Sequence, residues 1–457
     1  MKFDYNDFAC SKEFFPRYFN ILWSVNKDSY MKMENEYNKK VISVSVALDS
    51  VMQRVPNKYF FKMSSAQLDA ISYSECVFPT YRFILPDALI DDWLSIMDPH
   101  KEHCRDHSLH QPLTAYIVAK LLGYGDPAKA LKLKDGDLLT TCAQVIVSSP
   151  KTRYLRDYFK SLYPDCRKIP LGIRLKLARD VFYETAIISA LFHDMGYPWQ
   201  YISRLNESIF AADFRLPIDS SAQSMDILDM IKNRLLIYPY YGYSMTSKSR
   251  PISIWEKNIL LLFEKSLQKT HGFPGSLAFI HLQDKIRLFP TDSCFNEAVC
   301  RFIYDWAAVG IMMHDMPKIY KGKGRKPENA FLRVSFDTDP LSSLIATADV
   351  LEEFHRPAAN FLTPSEESIE IKYEYPCKRT ELELNGESLD IKYVYENNAL
   401  AAKNKRFRTS EIDDYFNSVQ GFVDLSSLGI KKVNCLCMPI SHLSPNDRPS
   451  DKVTDFT

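Results

Sequence analysis

Nine of the ten histidines in this chain lie between residues 100 and 355, and several of them close or interrupt strongly apolar segments. In "ALFHDMGYPWQ" (190–200), His193 and Asp194 stand side by side after "VFYETAIISALF", which is apolar nearly all round, as a helix buried in a core is. Gly196 and Pro198 then stop the run. Burying an imidazole beside a carboxylate is costly unless something compensates both. Successive helical residues diverge by about 100°, so the pair can serve one site only through one or two ligands lying over their shared flank. A metal would balance the carboxylate and fix the imidazole tautomer, although a structural His–Asp hydrogen bond would do part of the same.

Four further segments repeat the theme. In "RDHSLHQPLTAYIVAKLLGYG", Pro112 suits the first turn of a helix, where its missing N–H costs little. That puts His110 at the helix mouth, with Ala115, Val118, Ala119 and Leu122 as the stripe behind it and His107 one turn earlier. "KTHGFPGSLAF" sets His271 before Gly272 and Gly275, which permit close approach of another backbone. "WAAVGIMMHDMPKIY" ends a second apolar helix in His314-Asp315. "DPLSSLIATADVLEEFHRP" embeds Asp349 among Leu344, Ile345, Ala348 and Leu351. His110, His193, Asp194, His271, His314 and Asp349 thus form a coordination set for one or two divalent transition metals (Fe, Mn, Zn, Ni or Co), with Asp194 available to bridge. Asp315 is read as an outward residue, and His100 and His103 as solvent-exposed.

The elements that must position these residues give a mainly α fold. Residues 1–90 read as a helical cap and 91–362 as the helical metal-binding domain, with long apolar helices near 174–194, 302–316 and 340–355. After Pro364 the period changes to two. "IEIKYEY" (369–375), "TELEL" (380–384) and "LDIKYVY" (389–395) alternate as half-buried strands do, and Asn385-Gly386 predicts a tight hairpin. With a charged helix near 398–418 and a strand in "KKVNCLC", residues 363–457 read as a small α+β appendage.

Composition narrows the partners. Lysine plus arginine and aspartate plus glutamate are 57 each in 457 residues, so no net field draws the chain to long nucleic acid or to a membrane surface. No apolar stretch reaches the roughly 20 residues that cross a bilayer. "MKFDYNDFACSKEFF" lacks the pattern of a signal peptide, and ten dispersed cysteines fit free thiols, so a cytoplasmic protein is expected. Local positive charge does occur in "KIYKGKGRKP", where Lys318, Lys321, Lys323, Arg325 and Lys326 follow His314 and Gly322 and Gly324 would let the loop close over a phosphate. A solvated basic loop is the alternative.

The order His…His-Asp…Asp resembles the HD superfamily of metal-dependent phosphohydrolases. "LFHDMGYP" is similar to its central motif, "HQPLTAYIVAKLLG" to its first histidine helix and "LSSLIATADVLEE" to its last aspartate helix. His271 and His314 are similar to the extra histidines of its dinuclear branches, and "HRP" resembles large bacterial members. The resemblance covers residues 95–360 and implies an HD-type helical bundle. It further implies a first metal on His110, His193, Asp194 and Asp349, and a second on Asp194, His271 and His314.

The activity so implied is hydrolysis of a phosphomonoester or phosphodiester, of a nucleotide or another phosphorylated small molecule, by a metal-bridging hydroxide. Asp194 and His107 would be catalytic, and Lys318, Lys321, Lys323 and Arg325 would bind the substrate. Many members carry lysine where this chain has Tyr197, which removes one phosphate-binding charge. The same ligands also serve diiron oxygenases similar to myo-inositol oxygenase. A non-catalytic HD scaffold that binds a nucleotide is a third reading.

Overall fold

The structure is a computed structural model. It describes residues 1–4, 107–123, 126–149, 155, 156, 159, 170–194, 196, 271–287, 297–315, 334–353, 358–360, 372–374, 377–417 and 421–443. The described part is mainly α. Its helices are α1 (His107–Leu122), α2 (Leu138–Val147), α3 (Leu171–Phe192), α4 (Gly272–Arg287), α5 (Glu297–Met313), α6 (Pro340–Leu351) and α7 (Asn398–Ile412). The strands are β1 (Lys2–Asp4), β2 (Lys132–Leu133), β3 (Gly136–Asp137), β4 (Val334–Ser335), β5 (Ala358–Asn360), β6 (Lys372–Glu374), β7 (Cys377–Asn385), β8 (Ser388–Tyr395), β9 (Val423–Asp424) and β10 (Lys432–Pro439). None of the described helices is long and apolar enough to cross a membrane.

Helix α3 is the axis of the helical part, because every residue from Val181 to Phe192 is buried. It packs against α1, α2, α5 and α6. A helix surrounded on all sides has no polar face to spare, and its buried hydroxyls bond to backbone instead. Thr185 Oγ1 donates to Val181 O at 2.7 Å, and Ser189 Oγ donates across to Ala307 O of α5 at 3.2 Å. The α3–α5 approach depends on small residues, since a Cβ on Gly310 would stand 2.3 Å from Ser189 Oγ. Phe182, Trp306 and Phe302 stack beside it, with ring centroids 5.6 and 5.5 Å apart.

Helix α6 is buried along its whole length. Asp339 caps it by accepting from Ser342 N at 3.0 Å, and Pro340 occupies the first turn, where no N–H is needed. Helix α1 begins at His107, five residues before Pro112, so His110 lies inside its first turn and not at its mouth. The proline forfeits only one hydrogen bond, close to the helix end.

The sheet order is β1-β7-β8-β10. β7 and β8 form the expected hairpin, but Asn385 pairs with Ser388, so the turn is Gly386-Glu387, one residue later than the Asn385-Gly386 reading. Gly386 takes the left-handed conformation there, with φ +62. Strand β10 runs parallel to β8, which requires a crossover, and α7 supplies it and packs on β10. Of the strand expected over 369–375, the described part is β6, which pairs with β5 outside this sheet, and the remainder lies outside the described residues. Lys2–Asp4 is not the start of a helical cap but a strand antiparallel to β7, with Phe3 buried. The helices expected over residues 5–90 lie outside the described residues.

This sheet shares one apolar cluster with the helices. It also completes α6, whose last carbonyls have no partners within the helix. Tyr393 OH donates to Val350 O at 2.9 Å and Thr380 Oγ1 donates to Leu351 O at 3.1 Å, while Glu352 N turns back to Ala348 O at 3.0 Å. The parallel β4–β9 ladder makes a further tie.

Candidate metal centre

The buried ends of α3 and α5, the starts of α1 and α4 and the last turns of α6 meet at one place. His110, His193, Asp194, His271 and His314 are at most 2% exposed, and Asp349 is 7% exposed. His110 Nε2 lies 3.1 Å from His193 Nε2, 3.3 Å from Asp194 Oδ2 and 3.2 Å from Asp349 Oδ1. His271 Nε2 lies 3.0 Å from His314 Nε2 and 2.8 Å from Asp194 Oδ1. Asp194 Oδ1 is also 3.3 Å from His193 Nε2 and 3.6 Å from His314 Nε2, so its two oxygens face both histidine pairs. The shared flank of His193 and Asp194 is thus the centre of the cluster.

The outer ring nitrogens explain why the inner ones converge. His193 Nδ1 is 2.6 Å from Ala190 O, and His314 Nδ1 is 2.6 Å from Ile311 O. A carbonyl oxygen can only accept, so each Nδ1 carries the proton, and a neutral ring then leaves Nε2 as a bare lone pair. The other member of each pair is backed by a carboxylate. His110 Nδ1 is 2.5 Å from Glu352 Oε2, and His271 Nδ1 is 2.9 Å from Asp315 Oδ2, which also accepts the His271 backbone N–H at 2.9 Å. Asp315 is therefore not an outward residue. It is 1% exposed and stands behind His271, because α5 ends against the start of α4.

Glycine makes that approach possible. A Cβ on Gly272 would lie 2.8 Å from Ile311 O, and one on Gly196 would lie 1.9 Å from His271 O.

A divalent ion fits this donor set. His110, His193 and Asp349 offer ligand atoms within 4.8 Å of one another, and so do His193, Asp194 and His314. Among the described residues, four carboxylates are buried in the cluster, those of Asp194, Asp349, Glu352 and Asp315. Two divalent cations would balance their charge, which burial otherwise makes expensive.

Burial also lowers the pKa of His193 from 6.5 to about 3, with His314 and His110 adding to the effect and Asp194 and Asp349 opposing it. The folded chain refuses a proton that the unfolded chain accepts, so this contribution to stability is complete above pH 6.5 and is lost as pH falls toward about 3. Chelator-treated protein should therefore lose unfolding free energy through that window relative to His193→Gln. Parallel profiles for the two proteins would contradict the assignment.

Glu352 is a residue that the ligand pattern alone does not reveal. The available signal was its place three residues after Asp349, on the same helical face. His107 opens α1, but its side chain lies outside the described residues, as do His100, His103, Tyr197, Lys318, Lys321, Lys323 and Arg325. No protein-family model, curated protein or solved structure matches the chain.

Proposed function

We propose that this protein is a metal-dependent phosphohydrolase of the HD type, hydrolysing a phosphomonoester or phosphodiester of a small molecule, with a nucleotide as the favoured substrate. The observation that carries the reading is the convergence of four imidazole Nε2 atoms and two aspartates in a buried cluster. Its outer nitrogens stand against Ala190 O, Ile311 O, Glu352 and Asp315. Two bound divalent ions would activate water and polarise a phosphoryl oxygen, so no nucleophile from the protein is required. His193 and His314 present lone pairs, Asp194 reaches both half-sites, and Glu352 and Asp315 hold His110 and His271 in register. Asp349 has the most exposed side chain of the six, at 10%, which makes its side the approach for substrate.

The test is metal analysis of the purified protein, followed by a phosphatase and phosphodiesterase screen over nucleotides with chelated and metal-reloaded samples. Metal-dependent phosphate or nucleoside monophosphate release is the expected result. Bound iron with oxygen consumption and no phosphate release would overturn it in favour of an oxygenase.

The basic loop gives a second test. Neutralising Lys321, Lys323 and Arg325 together is expected to raise KM for the phosphorylated substrate about tenfold or more while metal content stays constant, since charge-assisted phosphate contacts are separable from coordination. The salt dependence of KM should flatten in the variant, because exposed charges are screened beyond about 10 Å at 0.1 M salt. An unchanged KM would remove the loop from substrate binding.

A further inference from the structure

The chain uses the dipeptide His-Asp twice, at the ends of the two apolar helices α3 and α5, with one backbone arrangement and two different outcomes for the carboxylate. In both copies the histidine ring turns back on its own helix and places Nδ1 2.6 Å from the carbonyl three residues earlier, Ala190 in one and Ile311 in the other. The first aspartate, Asp194, faces inward to the Nε2 atoms. The second, Asp315, faces away from them and stands behind His271, accepting its backbone N–H at 2.9 Å with the same Oδ2 2.9 Å from the ring's Nδ1. Glu352 does the corresponding work for His110 from the end of α6. Each histidine pair therefore contains one imidazole set by its own helix and one set by a carboxylate on a different helix.

We infer that Asp315 and Glu352 are positioning residues for separate half-sites, Asp315 governing metal affinity at His271 and His314, and Glu352 governing it at His110, His193 and Asp349. The inference rests on the metal-binding reading above and deepens it. A helix-borne histidine such as His314 keeps its ring orientation as long as α5 is folded. His271 precedes α4, and Asp315 Oδ2 stands 2.9 Å from both its Nδ1 and its backbone N, so Asp315 is placed to aim the ring. A carboxylate behind an imidazole also makes the ring a better donor, and losing such a partner typically costs about 10–100-fold in metal affinity. Gly272 is part of the device, since a side chain there would meet Ile311 O and Met312 O at 2.8 and 2.9 Å and push the two helix ends apart.

The experiment is titration of the metal-stripped full chain with Co²⁺, followed by calorimetry and by the visible absorption of the bound ion, for the parent, Asp315→Asn and Glu352→Gln. Both replacements keep size and hydrogen-bonding capacity, and a thermal melt of each metal-free variant controls for folding. The parent is expected to bind two ions. Asp315→Asn should weaken one of them by about 10–100-fold and leave the other at parental affinity. Glu352→Gln should do the same to the other ion, with a different change in the cobalt spectrum, and the double variant should weaken both.

Two ions bound by Asp315→Asn at parental affinities would overturn the inference while leaving the metal reading intact. Equal weakening of both ions by either variant would overturn it too, because the half-sites would then act as one. A parent that binds no Co²⁺ would overturn the metal reading beneath it. If Asp315→Asn fails to fold, Asp315→Glu, which keeps the charge, should restore folding with two bound ions, and its failure to do so would count against a positioning role.

Discussion

Asp194→Ala is expected to empty both half-sites and to reduce phosphate-ester hydrolysis by about 10³-fold or more, with the fold retained. Its carboxylate reaches both histidine pairs. Oδ1 of Asp194 is 2.8 Å from His271 Nε2 and 3.3 Å from His193 Nε2, and Oδ2 is 3.3 Å from His110 Nε2. With two ions bound as proposed, removing it would take a ligand from each at once, and metal-ion stabilisation of a phosphoryl transition state is worth several kcal/mol, at about 1.4 kcal/mol per tenfold in rate. The fold should survive because Asp194 follows α3, whose buried face is complete by Phe192, and its carboxylate meets imidazoles and not the apolar core. His193 would lose a neighbour that raises its pKa, so the ring would stay neutral and its hydrogen bond to Ala190 O would persist. Metal content and turnover measured on one preparation check both halves of the claim. Two bound ions in the variant, or undiminished turnover, would remove Asp194 from the bridging position.

The six ligand candidates could be read from sequence because each combined a titratable side chain with an apolar helical run, and such a residue needs a buried partner. The helical period placed α3, α5 and α6, and period-two alternation placed the β7–β8 hairpin. The reading failed at Asp315, for a physical reason. Periodicity says that a helix end is buried, but the direction of the residue after that end depends on which backbone packs against it. Here that backbone is the start of α4, which Gly272 admits to within 2.8 Å of Ile311 O by the position of its missing Cβ. Glu352 was overlooked because its partner, His110, is 242 residues away, and no local pattern carries that pairing. The hairpin register slipped by one because Asn-Gly is favoured in a two-residue turn, while the pairing of Asn385 with Ser388 puts Asn385 in the strand and makes Gly386, at φ +62, the first turn residue. The strand Lys2–Asp4 was beyond reach for the reason that applies to Glu352, since its partner residues are 379–381.

The role of the sheet in the site leads to the other large effect. Arg408→Met is expected to lower the unfolding free energy by about 3–5 kcal/mol, the usual result of removing one member of a buried ion pair. Arg408 is 2% exposed, and its Nη2 lies 2.7 Å from Glu353 Oε2, whose side chain is 4% exposed, while Nη1 meets Glu411. Burial works against the guanidinium charge, but Glu353 and Glu411 outweigh it and hold its pKa above the ordinary value. Methionine fills much of the same space but takes the guanidinium away from Glu353, which lies beside Tyr393, Tyr395 and Cys377. The double variant Arg408→Met with Glu353→Leu should recover much of the loss, because a buried pair replaced on both sides by apolar residues is often neutral.

The second readout of Arg408→Met is metal affinity. Glu353 follows Glu352 at the end of α6, where Tyr393 and Thr380 of the sheet hold the last carbonyls, so loosening this contact should let Asp349 and Glu352 drift from His110. Urea unfolding of the variant should remain a single transition at a lower midpoint, with ion release in the same step. An early transition of the sheet alone, with the ions still bound at parental affinity, would show that the sheet docks on α6 without holding the metal centre together.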